Sequence, residues 1–168
     1  MTTFEPVQIS TDFDDPDLDP RLTWHCPPAR WSIRDSRLIL QPEAGTDFWQ
    51  RTHYGFRADN GHFLHAAVTG DFVMATRVRF APVHQYDQAG LMVRCSADCW
   101  VKTSVEFEPG GPGRLGAVIT RGGYSDWSTQ DFRVGQSAIE LRVELRGQDV
   151  LVERSEERRV GKECRSRW

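Results

Sequence analysis

Apolar and polar positions alternate along much of this chain. From Phe72 to Phe80, the residues Phe72, Met74, Thr76, Val78 and Phe80 fall on one side of an extended strand, with Arg77 and Arg79 on the other. From Ile139 to Leu145, Ile139, Leu141, Val143 and Leu145 share one face, while Glu140, Arg142, Glu144 and Arg146 share the opposite one. Successive side chains of a strand point to opposite faces, so a period of two predicts antiparallel strands with one face buried. Shorter segments of the same kind fill the rest. RWSI and RLILQP are predicted to form a hairpin around RDS, followed by DFWQRTHYGF, GHFLHAAVTG, GLMVRC, CWVKTSVEF, RLGAVIT and VLVE. Between them lie SAD, EPGGPG, the glycine pair of VITRGGYSDW, and RGQD, which are rich in residue types that close turns. No segment keeps a helical period over three turns. Many short strands punctuated by Gly, Pro, Asp and Asn predict an all-β protein, a sandwich or jelly roll of antiparallel sheets.

One strand does not fit a simple core. Trp100, Lys102, Ser104 and Glu106 share a face; Val101, Thr103, Val105 and Phe107 share the other. The second face suits the space between sheets. The first is too polar for a core and too aromatic for a plain solvent face. An indole, an ammonium and a carboxylate in one hollow could hold a polar ring such as a sugar, its apolar side on the indole and its hydroxyls on the charges. The competing reading is a lattice of cross-strand ion pairs. Lys102 and Glu106 lie about 13 Å apart along the strand, so each must pair elsewhere, with Asp87 or Asp126 available to Lys102. QYDQ (Gln85 to Gln88) and YSDWS (Tyr124 to Ser128) are expected in loops or at strand ends, where ligand groups gather but where Asp and Ser also cap turns. The candidate ligand-binding set is therefore Trp100, Lys102, Glu106, Asp87, Gln88, Asp126 and Trp127. Trp49, beside Phe48, is expected in the core.

The last fifteen residues, Arg154 to Trp168, break the pattern. RSEERRVGKECRSRW is arginine-rich without a period of two, and reads in frame as a common sequencing-library adapter. A natural basic tail is the alternative. On the adapter reading, the domain occupies residues 1–153 as an incomplete sandwich and residues 154–168 are a non-native tail. Without them, Lys plus Arg falls from 21 to 15 and Asp plus Glu from 24 to 21, a formal charge of −6. An acidic domain is a poor fit to a phosphate backbone, so no nucleic-acid partner is expected. No apolar run is long enough to span a bilayer. The first residues lack a basic stretch followed by an apolar one, which leaves a cytoplasmic location as the expectation.

Other chemistries find little support. STDFDDPDLDP (Ser10 to Pro20) could offer carboxylates to calcium, but it lacks the glycine and flanking helices of the helix–loop–helix site, and a solvated connection is expected. His62 and His65 are three apart and point to opposite faces of a strand, so they cannot share a metal. Cys95 and Cys99 in CSADC have no second cysteine pair nearby for zinc and, like Cys26, are expected as small apolar thiols. PGGPG lacks the lysine and helix of a phosphate loop. No serine sits in a nucleophile elbow. No metal, cofactor or catalytic residue is assigned.

TDFWQRTHYGFRADNGHFL, QYDQAGLMVR, CWVKTSVEF and SDWS, in that order, resemble the "regulation of enolase protein 1" family over about Trp24 to Glu153. That family is placed in the concanavalin A-like lectin/glucanase superfamily. The resemblance implies a jelly-roll sandwich of two curved antiparallel sheets, here C-terminally truncated, and carries no established catalytic residue. The glucanases of the superfamily use Glu-x-Asp-x-Glu on one strand. This chain has only Glu106, Phe107 and Glu108 before Pro and Gly, which argues against that mechanism. A non-catalytic module for a carbohydrate or small polar metabolite is the leading expectation. A regulatory protein that contacts a metabolic enzyme, suggested by the family name, and an enzyme acting on a sugar derivative through Glu106 and an aspartate are the alternatives.

Overall fold

The computed structural model of the chain describes residues 8–53, 55–132 and 138–156. Thirteen strands and no helix occur among them. They divide into two compact units, one from residues up to Phe48 with Ala58–Ala67, the other from Trp49–Arg57 and Val68 onwards.

In the first unit, β1 (Thr23–His25) pairs with β6 (Phe63–His65), and β2 (Arg30–Ile33) with β3 (Leu38–Gln41), all antiparallel. The predicted RDS hairpin is present. Arg34 and Arg37 exchange both backbone bonds, and the two residues between them, Asp35 and Ser36, adopt φ of 52° and 54°. Two left-handed residues give the turn a twist that matches the strands it joins. Aromatic rings hold the unit together: Trp24 on Trp31, and Phe48 between His25 and Phe63. In the acidic connection, carboxylates of Asp12, Asp15 and Asp19 accept backbone N–H groups of Asp14, Asp17 and Arg21, so these aspartates tie their own turns. His62 bonds the Cys26 carbonyl through Nδ1 and meets Glu43 through Nε2.

β4 (Phe48–Gln50) and β5 (Arg57–Asp59) pair with each other, closed by the Arg51 N–H donating to the Phe56 carbonyl at 2.8 Å. Phe48, not Trp49, is the buried aromatic of DFWQ. Trp49 stays half-buried because its indole N–H donates to the Thr52 carbonyl within the same loop. The expectation of Trp49 in the core is corrected on that ground.

The second unit contains two stacked sheets. One has the order β11 (Tyr124–Phe132), β10 (Gly113–Arg121), β9 (Cys99–Glu106), β8 (Gln88–Ser96). The other has the order β13 (Asp149–Glu156), β12 (Ile139–Arg146), β7 (Phe72–Val78). Val105 and Leu115 from the first sheet meet Ile139 and Leu141 from the second, with Phe132, Val78, Phe80 and Leu91 around them. This is the core foreseen from the alternation of β7, β9 and β12. β13 runs on through Arg154 to Glu156, past the expected boundary at 153, with Arg154 opposite Leu141. Residues 157–168 of the tail lie outside the described residues.

A predicted outward face becomes an ion-pair ladder. Glu144 points away from the core yet is only 6 % exposed. Arg142 and Arg146 both close on its carboxylate, and Arg142 also reaches Glu153 on β13.

Candidate functional site

The site is built on the face of the four-stranded sheet that points away from the core. Register fixes its rows. Arg94, Trp100, Thr120 and Ser125 form one row across β8, β9, β10 and β11. Met92, Lys102, Val118 and Trp127 form the next, then Gly90, Ser104, Gly116 and Thr129, then Gln88, Glu106, Arg114 and Asp131. Residues opposite each other in an antiparallel ladder project to the same side. Trp100, Lys102 and Glu106 therefore do emerge on one face, together with Gln88 and Trp127.

Their exposure differs sharply along it. Trp100 is 2 % exposed and Lys102 9 %. The expectation of an open indole platform at Trp100 is thus corrected. The physical reason lies far away in sequence. The Gln50 N–H donates to the Ser125 hydroxyl at 2.8 Å, and that hydroxyl bonds Thr120 Oγ1 at 2.6 Å. Gln50 in turn accepts from Arg57 Nε at 3.1 Å. Through this buried relay the loop 49–57 is fastened over the Ser125 end of the face. The Trp100 indole N–H donates to the Ala97 carbonyl at 3.2 Å, and the Lys102 ammonium lies 5.9 Å from the indole centroid. The ammonium and the ring are thus partners inside the wall, an arrangement whose electrostatic attraction grows when solvent is excluded.

The face opens at its β11 edge and toward the Ser104 and Glu106 rows. Trp127, on that edge in the Lys102 row, is 43 % exposed. The Ser104 hydroxyl donates to Gln88 Oε1 at 3.3 Å. Arg114 and Asp131 pair directly across β10 and β11, so part of the cross-strand lattice reading is realised on this row. Ser104 is flanked by glycines on both neighbouring strands. A Cβ on Gly90 would lie 1.9 Å from the Thr103 carbonyl oxygen, and one on Gly116 would lie 2.2 Å from that of Ser128. No side chain fits at either position, which leaves a strip across the sheet bounded by the Lys102 and Glu106 rows.

Two aspartates of the expected set stand elsewhere. Asp126 is opposite Ile119 in the register and so shares the core-facing side, one residue out of phase with Trp127. Asp87 accepts the Val83 and His84 N–H groups through Oδ2 at 2.8 and 2.9 Å and caps that turn. Burial works against its charged form, but these backbone donors and the nearby His84 outweigh it and hold the carboxyl below its ordinary value. Asp126 thus does not share Glu106's face, and Asp87 is engaged with its own turn. YSDWS lies at a strand end, the second of the two places expected for it. It opens the nine-residue strand β11, after a turn in which Gly122 and Gly123 take φ of 58° and 78°. Gln50, Thr120 and Ser125 were not foreseen as site residues. The one available signal was that Ser125 and Trp127 are two apart and thus project together.

These stacked antiparallel sheets define a concanavalin A-like β-sandwich. The chain belongs to the family described as "protein of unknown function (DUF1349)", whose model matches residues 24–166. It is similar to "Regulation of enolase protein 1" of Saccharomyces cerevisiae, 36 % identical over 121 residues, which are 72 % of this chain and 60 % of that protein. The chain thus spans about three fifths of that relative's length. It is also similar to the solved structure of a functionally unknown protein from Saccharomyces cerevisiae, with a TM-score of 0.76, 32 % identity, and coverage of 86 % of this chain and 77 % of that one. A mutant of the GH43 protein BlXynB from Bacillus licheniformis has a TM-score of 0.67 at 20 % identity, covering 97 % of this chain and 32 % of that one. That likeness is one of fold.

Proposed function

We propose that the outer face of the four-stranded sheet is a non-catalytic binding site for a carbohydrate or a small polar metabolite. The observation that carries this reading is the strip over Ser104, cleared by Gly90 and Gly116, with the exposed Trp127 beside it and Gln88 and Glu106 along its far edge. A sugar ring lays its apolar face on an indole and its hydroxyls on amide and carboxylate oxygens. Trp127 takes the platform role expected of Trp100. Lys102 and Trp100 shape the closed end, while Asp126 on the other face and Asp87 in its turn have no part in this site.

The test is calorimetric titration with a panel of monosaccharides and disaccharides, alongside tryptophan emission. A saturable heat that is lost in Trp127→Ala and Glu106→Gln, with cooperative melting retained above the titration temperature, supports the reading. Absence of heat and of any emission change with every sugar removes it.

A second reading is favoured by the 36 % identity to a relative named for regulation of enolase. On it, the protein contacts a metabolic enzyme. Recovery of one such enzyme from lysate, equally well by wild type and by the Trp127→Ala and Glu106→Gln variants, would favour this over the ligand site.

A further inference from the structure

β11 is the last strand of its sheet, with β10 on one side and no described strand on the other. Its ladder is regular over nine pairs, from Arg121 opposite Tyr124 to Gly113 opposite Phe132. The Gly122–Gly123 turn closes this hairpin, and successive pairs alternate between hydrogen-bonded and non-bonded. The Ser128 carbonyl lies 2.2 Å from the Cβ that Gly116 lacks, so it is aimed at β10. The backbone groups of Asp126, Ser128 and Gln130 therefore serve β10, and those of Trp127, Thr129 and Asp131 point out of the sheet. These last three residues are exposed, and no backbone partner for them occurs among the described residues. Sheet edges are commonly blunted by proline, lysine or a bulge. The stretch from Trp127 to Asp131 has none of these.

Beside this edge the space between the two sheets is not filled. A cavity of about 270 Å³ lies there, lined by the apolar Leu115 and Ala117 of β10 and Leu141 and Val152 of the facing sheet. Ser128 and Gln130 of β11 share its wall, on the core-facing side, and are exposed. Outward backbone groups next to an apolar slot are the geometry of strand addition. Main-chain bonds then give affinity, and pockets for alternate side chains give specificity.

We propose that the β11 edge is a docking site for an extended segment of a partner protein, apolar at every second residue. The segment adds antiparallel to β11 and sets its apolar side chains between the sheets. A second copy of this chain is the wrong occupant. Its own β11 would bring Asp126, Ser128 and Gln130 to the apolar slot, and burial of polar groups without partners is unfavourable. An inward-pointing charge such as Asp126 is a device that keeps like edges apart. The same carboxylate fits a Lys or Arg at that end of the docked segment, whereas Asp131 is already matched by Arg114. This inference does not depend on what the outer face binds.

The experiment titrates the full chain into a labelled synthetic peptide of alternating Val and Thr, with a lysine at each end, and follows anisotropy. Saturable binding is expected. Hydrogen exchange is expected to slow at the Trp127, Thr129 and Asp131 amides and to stay the same at Ser128 and Gln130, whose N–H groups already serve β10. N-methylation of the peptide's Thr amides, which face β11 when the Val side chains enter the slot, is expected to abolish binding. Thr129→Pro removes one outward N–H without touching the β10 ladder, and is expected to weaken the peptide at least about tenfold. Ala117→Leu fills the slot and is expected to do the same. Cooperative melting of both variants separates loss of docking from loss of the fold. A peptide-free dimer that dissociates in Thr129→Pro would give the edge to a second copy and overturn the proposal. So would protection at β13 amides in place of β11, binding indifferent to N-methylation, or neither binding nor protection.

Discussion

The Lys102 ammonium lies 5.9 Å from the centroid of the Trp100 ring, two positions along the same face of β9, and both side chains are almost without solvent contact. A charge held this way is part of the packing. Its register neighbours are Met92 and Val118, both buried and apolar. Trp100→Ala removes a large buried ring and is expected to cost about 3–5 kcal/mol. Lys102→Met keeps most of the stem among the apolar neighbours and removes only the charge, an exchange expected to cost less than loss of the ring. Urea unfolding midpoints of the two variants check the order. A costlier Lys102→Met would mean that the ammonium anchors the wall through its charge.

The loop 49–57 is expected to depend on one hydroxyl. Ser125→Ala deprives the buried Gln50 N–H of its acceptor and Thr120 of its partner. Leaving a buried donor unsatisfied costs about 1–3 kcal/mol. Hydrogen exchange at the Gln50 amide is the specific readout. It is expected to accelerate in Ser125→Ala, and an unchanged rate would mean the loop is held by other means.

Gly90 and Gly116 are expected to tolerate no other residue. The atom a methyl group would strike is a backbone carbonyl of the neighbouring strand in each case, at 1.9 and 2.2 Å, and a backbone in a ladder cannot swing aside as a flexible side chain can. Gly90→Ala and Gly116→Ala are each expected to destabilise by about 1–3 kcal/mol or more, the usual range for forced overpacking. By contrast Gly111, with nothing within 4 Å of its added Cβ, is expected to accept alanine with little change. Thermal melting of the three variants tests the contrast.

The fold was legible where alternation was strict. β7 and β12 read directly because apolar and charged side chains alternate along them, even though Glu144 on the outward face of β12 is itself covered by its arginines. β11 did not read as a strand. Its stretch Ser128 to Asp131 is exposed throughout, and an edge strand needs only backbone bonds to join a sheet, which leaves no apolar period to detect. The shared face of Trp100, Lys102 and Glu106 was legible for the same reason that β12 was. Its covering was not. Alternation tells which side a residue takes, while burial there is decided by a loop whose anchor, Gln50, is 75 positions from Ser125. The irregularity between Arg94 and Ser96 was hidden too, since a bulge shifts phase by one residue without any change in composition.

Stability is expected to fall on the acid side of neutrality through carboxylates held low by the fold: Asp19, hydrogen-bonded to the exposed Arg21, together with Glu144 and Asp87. Arg142 and Arg146 bond to Glu144 and, against its burial, hold it below its ordinary 4.5. Asp87 is held below 3.8: burial raises it, but the His84 and Val83 N–H groups and the charge of His84 prevail. A carboxyl depressed in the folded state contributes stability that is fully present above its unfolded value and disappears as pH falls through its folded value. Denaturation midpoints are therefore expected to be level above about pH 5 and to drop below about pH 4.5. Glu144→Gln and Asp87→Asn should each start lower at neutral pH and show a shallower acid slope. A slope as steep as wild type in both variants would assign the acid loss to other groups.

Trp127 and Trp100 offer the sharpest separation of packing from binding, because the two indoles lie on the same face in adjacent rows and differ in exposure. A ring that is 43 % exposed still hides more than half of its surface, so Trp127→Ala is expected to cost about 1–3 kcal/mol, less than loss of the sealed Trp100 ring. If a polar ring lies on that indole, the same substitution removes the main apolar contact and should weaken binding by at least about tenfold, since a stacked aromatic contributes on the order of 1.5 kcal/mol. Trp100→Phe inverts the pattern. It should lower the melting temperature and leave affinity nearly intact, because the Trp100 indole is sealed behind the wall that it helps to form. The paired measurement is melting and affinity for the same sugar on both variants. A Trp127→Ala protein that binds as tightly as wild type, beside a Trp100→Phe protein that does not bind while still folded, would move the ligand to the closed end of the face and require the 49–57 loop to open.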